Sequence, residues 1–419
     1  MTSNRPQRPR RSSATPARPP RSSSRAQNIV GAILGVVLVG GVVFAGIQLT
    51  RPRHASSTAA RPTALPTHAM APKAKPAPPG CGVPSSFLAS MSKRDKLAQL
   101  LMVGVTDAAD ARRVVATQHV GGIFIASWTD LSMLKDGTLT AISRSARPLP
   151  LAVSVDEEGG RVERLSSLIG TAPSARELAQ SMPSEGVYQQ ALERGRKMRS
   201  YGITIDFAPV VDVTDAPDDT VIGDRSFSPN PAVVTEYASA YAKGLRDAGL
   251  LPVLKHFPGH GRASGDSHMT GVVSPPLEDL KSLDLVPYRT LVTQAPVGVM
   301  IGHMQVPHLT GNDPASLSPA AVELLRKGSD YGGPPFNGPV FTDDLSTMKA
   351  ITDRYSVPEA VLKALQAGAD TALWVTDTEV PKVLDRLISA LDGGELSMPK
   401  IEASVRRMAE AKALNSCHH

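Results

Sequence analysis

A chain of 419 residues with 41% hydrophobic content can bury two or three average domains, or one barrel with appendages. Its net charge of +6 and pI near 9.3 invite nucleic acid or anionic lipid as a partner. Residues 1–80, however, carry 12 Lys+Arg and no acid, leaving 33 basic against 39 acidic residues beyond them, which excludes a general basic surface for nucleic acid on the body.

In chain order, residues 1–27 are rich in Arg, Pro and Ser and cannot build a core; they read as a disordered basic cytoplasmic tail. Residues 29–49 are apolar apart from Gln48, about the length that spans roughly 30 Å of hydrocarbon as a helix. A transmembrane segment is therefore expected over 28–49. Seven arginines precede it, while Arg51 and Arg53 follow closely, a bias that leaves the N-terminus in the cytoplasm and the body outside the cell membrane. A cleaved signal peptide, releasing a secreted body, is the alternative. No convincing A-x-A site closes the apolar run, so an uncleaved anchor is favoured. Residues 50–80 contain seven prolines and read as an extended, semi-rigid spacer. The two cysteines, Cys81 and Cys417, bracket a globular body over 81–417, and an oxidising exterior would permit a disulfide between them.

From residue 95 onward, short apolar runs alternate with longer amphipathic or polar stretches, the pattern of βα units around a parallel sheet. Strands are expected at 101–105, 121–126, 151–155, 203–208, 252–256, 298–303, 339–342 and 372–376, with helices at 232–247, 358–367, 381–391 and 401–414. Eight parallel strands with helical crossovers make a single (β/α)8 TIM-type barrel, and about 330 residues suit one with inserted loops. Most of the runs end in or contain a side chain that can do chemistry: Asp156, Asp206, Lys255 with His256, His303, and Asp343. Barrel enzymes build their sites at the C-terminal ends of the strands, so this convergence points to a catalytic barrel.

Three segments stand out: Asp156 to Arg164 (DEEGGRVER), Lys255 to Gly261 (KHFPGHG) followed by Asp266-Ser267-His268, and Phe341 to Leu345 (FTDDL). The second runs from a strand end into a loop rich in Gly and Pro, where functional side chains are commonly displayed. Asp266 and His268 are close enough for the carboxylate to orient the imidazole, which can both give and take a proton. Five of the ten histidines (256, 260, 268, 303 and 308) fall within 53 residues, a concentration that argues against five unrelated ones. Asp343 ends the seventh run, where it can attack an anomeric carbon or merely bond a loop; Asp344 rivals it by chemistry alone. Arg225, in VIGDRSF after the fourth run, can bind hydroxyl or amide oxygens or form a structural salt bridge.

Together these segments resemble the bacterial β-N-acetylhexosaminidases of glycoside hydrolase family 3. Their features include D-x-E-G-G-R-V-x-R, I-G-x-R-S-F, K-H-F-P-G-H-G, a nearby D-S-H and S/T-D-D-L. All five stand here in order over residues 156–345, and the resemblance extends across roughly 90–415. Glu157 stands where Gln is common, and Thr342 where Ser is common. The resemblance implies that Asp343 is the nucleophile and His268 the general acid/base, assisted by Asp266. It implies that Asp156, Arg164, Arg225, Lys255 and His256 bind N-acetylglucosamine, and that no metal or cofactor is needed. The implied reaction retains configuration through a covalent glycosyl-enzyme. The implied substrate is a peptidoglycan fragment, GlcNAc-β-1,4-MurNAc with or without peptide. Three alternatives stand beside it: phosphorolysis, since a histidine in place of a carboxylate lessens repulsion of phosphate; a metal-dependent barrel hydrolase using His256, His303 and Asp343; and a non-catalytic sugar-binding barrel.

Overall fold

The computed structural model describes residues 85–413. The expected tail, transmembrane segment and spacer, and the Cys81–Cys417 pairing, lie outside the described residues. Among those described, no helix is long and apolar enough to cross a membrane.

The barrel strands are β1 (Leu101–Val105), β2 (Gly122–Ile125), β3 (Ala152–Val155), β4 (Ile205–Asp206), β5 (Leu251–Phe257), β6 (Gly298–Ile301), β7 (Val340–Thr342) and β8 (Ala372–Trp374). Each falls on one of the eight apolar runs. All pair in parallel and in sequence order, and β8 returns to β1 through the register Leu101↔Ala372. The circle closes at a bridge between Phe341 and Thr371, where Thr342 N–H donates to the Thr371 carbonyl at 3.1 Å. Strands buried on both faces need continuous apolar runs rather than alternation, which is why these segments read as short hydrophobic blocks.

Inside the barrel, alternate side chains such as Met102, Phe124, Phe207, Val253, Phe341 and Leu373 form a core of their own. Phe207 stacks edge-on against Phe341 with ring centroids 5.6 Å apart. Outward side chains join the larger core beneath the helices. The last helix, Met398–Ala413, sends Met408 and Ala411 into the inner cluster, and its Lys412 Nζ lies 3.2 Å from Gln99 Oε1, just ahead of β1. It thus closes the end where the strands begin, leaving the other end for chemistry.

The helices Pro231–Asp247, Val357–Ala367 and Val380–Asp392 also fall where expected, each opened by a proline in its first turn, where the missing N–H costs nothing. The helix Ser184–Ser200, not anticipated, packs on Pro231–Asp247 at close range: a Cβ on Gly244 would stand 2.5 Å from the Tyr188 carbonyl oxygen. Also unanticipated is a two-stranded parallel piece, Val272–Val273 with Met304–Gln305, which ties the loop after β5 to the loop after β6.

Candidate active site

The open end of the barrel is organised by a buried ionic cluster. Directly after β3, Glu157 Oε2 accepts the Arg164 and Leu165 N–H groups at 2.7 and 2.8 Å, while its Oε1 takes Arg194 of helix Ser184–Ser200 at 2.6 Å. This folds residues 156–165 into a hairpin-like loop with Asp156 and Arg164 facing one cavity. Glu157, the departure from the family pattern, is wholly buried and serves as this loop's anchor.

Glu158 accepts Lys255 Nζ at 2.6 Å and Arg225 Nε and Nη2 at 2.8 and 2.9 Å. Lys255 Nζ also reaches Asp156 Oδ1 at 2.6 Å. Burial penalises Glu158, Arg225 and Lys255 alike, but mutual attraction prevails: the Arg225 and Lys255 charges hold the Glu158 carboxyl well below the usual range. Burial likewise disfavours the Lys255 ammonium, yet Asp156 and Glu158 raise its pKa above the ordinary lysine value. Lys255 is therefore a charged donor and not a base. Between Leu254 and Phe257 the register of β5 on β6 slips, a bulge of the kind that re-aims side chains at barrel rims, and both Lys255 and His256 border the cavity. Arg225 arrives from a loop whose carbonyls are gathered by two other arginines. Arg161 takes those of Asp218, Thr220, Val221 and Ile222, and Arg176 those of Ala216 and Gly223. Arg225 thus makes the salt bridge that the sequence left as an alternative, and still borders the cavity.

His256 is held by Asp212, which the sequence reading missed: Nδ1 lies 2.7 Å from Asp212 Oδ2, and Asp212 Oδ1 accepts the His260 N–H at 2.6 Å. Two strand-end residues expected to face the site do not. Asp206 is fully buried, accepts the Glu157 N–H at 3.0 Å and borders neither cavity; burial raises its carboxyl well above the usual range. His303 points into the wall: Nε2 stands 2.8 Å from the Asp344 carbonyl and Nδ1 2.7 Å from Ser316 Oγ. A carbonyl only accepts, so Nε2 carries a proton, while Nδ1 is engaged by the serine hydroxyl. With both ring nitrogens in use, His303 is no metal ligand, and the donor set His256, His303 and Asp343 fails. Among the described residues no cluster of three His, Cys, Asp or Glu is arranged to hold a metal.

The two neighbouring aspartates after β7 differ sharply. Asp344 is saturated: its carboxylate accepts Ser346 N–H and Oγ at 2.9 and 2.8 Å, Thr347 N–H at 3.0 Å, and the Thr347 hydroxyl. Asp343 Oδ1 accepts one bond, from the Asp344 N–H at 2.8 Å, and Oδ2 has no partner among the described residues. Burial opposes its ionisation, but His303, His256, the Asp344 N–H and Lys255 outweigh that and hold its pKa at about 2. Opposite, on the loop after β5, His268 Nδ1 lies 2.8 Å from Asp266 Oδ1, which also accepts the His268 N–H at 2.9 Å. Since a carboxylate accepts, Nδ1 carries a proton and Nε2 is left for exchange.

Asp156, Arg164, His268, Asp343 and Met348 border two adjoining cavities of about 240 and 180 Å3. The smaller is walled by Glu158, Arg225, Lys255 and His256; the larger by Phe124, Ala126, Trp128, Met300, Leu373 and Val375. Every predicted site residue except Asp266, which is hydrogen-bonded to His268, is thus brought to one place. The Arg164 guanidinium has no hydrogen-bond or ion-pair partner among the described residues and is free to meet a ligand. A wider groove of about 790 Å3 lies elsewhere, where Arg326 and Arg407 both bind the buried Asp370 and none of these strand-end acids appears.

Comparison with known proteins agrees with the barrel fold. Residues 92–411 match the glycosyl hydrolase family 3 N-terminal domain. The chain is 68% identical over 345 residues to beta-hexosaminidase LpqI of Mycobacterium tuberculosis, covering 82% of this chain and 89% of that protein. A family 3 glycosyl hydrolase from Mycobacterium smegmatis superposes with a TM-score of 0.77 at 70% identity, over 77% of this chain and 98% of that one. A family 3 β-N-acetylglucosaminidase from Paenibacillus superposes at 0.73 and 32% identity, over 79% and 64%. A family match spanning nearly all of the barrel, together with these relatives, makes this chain a member of glycoside hydrolase family 3.

Proposed function

We propose that this β-hexosaminidase is a retaining β-N-acetylglucosaminidase that removes terminal N-acetylglucosamine from peptidoglycan fragments, GlcNAc-β-1,4-MurNAc, in cell-wall turnover or recycling. The observation that carries the reading is the contrast between the saturated Asp344 and the open, ionised Asp343. Names of relatives as β-hexosaminidases support the sugar, and the predicted anchor supports a substrate outside the membrane.

In the first step Asp343 Oδ2 attacks the anomeric carbon, the bond from that carbon to the leaving oxygen breaks, and His268 Nε2–H protonates the leaving oxygen. Asp266 stabilises the imidazolium that gives up this proton and is re-formed in the second step; its own carboxyl is lowered against burial by its bonds from the His268 N–H and ring. In the second step His268 Nε2 takes a proton from water, the water oxygen bonds to the anomeric carbon, and the Asp343–sugar bond breaks. Two inversions restore the β configuration. Asp156, Arg164, Lys255 and Arg225 supply donors and acceptors for hydroxyls and the acetamido group.

The test is Asp343→Asn beside Asp344→Asn on an activated N-acetylglucosaminide. The first should lose about 10⁴-fold or more in kcat, as removal of a covalent nucleophile does; the second should keep measurable turnover. A slow 5-fluoro sugar should trap an adduct on residue 343, and a label elsewhere would overturn the assignment. Running product analysis in phosphate distinguishes hydrolysis from release of a sugar 1-phosphate. The leader is proposed to hold the enzyme on the outer face of the cell membrane, and fractionation of cells making the full chain would show it in the membrane pellet.

A further inference from the structure

Trp128 is the one large aromatic side chain among the described residues left more than half in water, at 54% exposure, and it also borders the larger, apolar cavity. It therefore stands at that cavity's rim. A single exposed apolar residue needs no explanation, but this one is held in place. Thr129, buried beside it, accepts the Ala126 N–H at 2.9 Å through its hydroxyl and donates that hydroxyl to the Val105 carbonyl at 2.7 Å. The next residue, Asp130, donates its N–H to the Thr106 carbonyl at 2.8 Å. The turn after β2 is thus pinned to the end of β1 on the C-terminal side of the indole, and the ring is presented rather than packed.

The place of the ring follows from the chemistry. A sugar whose anomeric carbon meets Asp343 must direct its glycosidic oxygen toward His268, whose side chain is 57% exposed. The leaving group then lies beside His268, at the exposed rim of the cavities that His268 borders. Neither Lys255, Arg225 nor His256 is at that rim, since all three are buried or nearly so. A pyranose ring has a face of C–H bonds that packs on the electron-rich face of an indole. We propose that Trp128 is a stacking platform for the sugar ring of the leaving group, and so a determinant of which aglycones are cleaved well. This rests on the hydrolase reading above and adds the leaving-group site to it.

The test compares Trp128→Ala and Trp128→Phe with the wild type on substrates that differ only in the leaving group. These are GlcNAc-β-1,4-MurNAc, chitobiose, and N-acetylglucosaminyl β-fluoride, whose leaving group has no ring. Trp128→Ala should lower kcat/KM on the disaccharides roughly tenfold, mainly through KM, about 1.4 kcal/mol by conversion and within the range of an aromatic contact. Turnover of the fluoride should stay within about twofold, and Trp128→Phe should recover most of the loss, because a smaller aromatic face remains. Equal losses on fluoride and disaccharides, or no loss on either, would overturn the proposal. If the wild type spares the muramyl disaccharide but cleaves chitobiose, the cell-wall substrate reading fails while the comparison on chitobiose still decides Trp128. A wild type that turned over only the fluoride would overturn both.

Discussion

Glu158 is the hinge of the charge cluster, and replacing it with Gln gives a quantitative test of how the mouth of the barrel is held. The substitution keeps the shape and removes the charge that Lys255 and Arg225 share. Lys255 retains Asp156 at 2.6 Å, whereas Arg225 is left with the Val221 carbonyl at 3.1 Å. The side chains of Glu158 and Lys255 are 6% and 2% exposed and that of Arg225 is 14% exposed, so solvent screens the loss little. Removing one partner of a buried ion pair costs about 3–5 kcal/mol because the other charge stays uncompensated. At about 2–3 °C per kcal/mol for a domain of this size, Tm at neutral pH should fall by about 6–15 °C. The pH dependence has a definite sign. Burial opposes the Glu158 anion, but the two cations depress its carboxyl, so its contribution is complete above the unfolded value of about 4.3 and lost as pH falls through the folded value. The gap in Tm between wild type and Glu158→Gln should therefore stay constant from about pH 8 to about pH 5 and narrow only in stronger acid. Scanning calorimetry across that range reads it directly. A Tm within about 2 °C of wild type at neutral pH, or a gap that shrinks between about pH 8 and 5, would refute the reasoning.

Two further substitutions separate binding from proton transfer. Arg164→Ala removes a guanidinium that faces both cavities without a partner among the described residues, so kcat/KM should fall about 10–100-fold, the worth of a charged hydrogen bond. Its Tm should not change, and a large drop would mean that the guanidinium is structural. Asp266→Asn leaves His268 without its carboxylate partner, and kcat on a disaccharide should fall about 100-fold or more. On the β-fluoride, whose departure needs little acid assistance, the loss should be much smaller; equal losses would remove Asp266 from proton transfer.

Much of this architecture is legible in the chain because barrel strands buried on both faces appear as short apolar blocks, and all eight blocks became strands. What was not legible is depth. Asp156 and Asp206 both look like acids at strand ends. The register of β4 on β3 puts Asp206 level with Val155, one residue short of Asp156, and that single step turns a cavity-facing carboxylate into a buried one whose carboxyl burial pushes well above the usual range. Long-range partners were equally hidden. Asp212 follows an apolar run that reads as strand continuation, and only the fold shows it fixing His256 and the His260 backbone. His303 sits in the same histidine-rich stretch as His268, but Ser316 and the Asp344 carbonyl occupy its ring.

The same contrast favours Asp343 over its neighbour as the proposed nucleophile. In sequence the two aspartates are equivalent, and a short polar run follows both. The turn after β7 gives its Ser346 and Thr347 donors to Asp344, and the His303 ring fixes the carbonyl of that same residue. Each bond that stiffens Asp344 also holds the backbone of residue 343, while none from the described residues reaches Asp343 Oδ2. Rigidity is thereby supplied from behind the carboxylate while its free oxygen is left open in front, an arrangement that would preorganise the proposed nucleophile without quenching it.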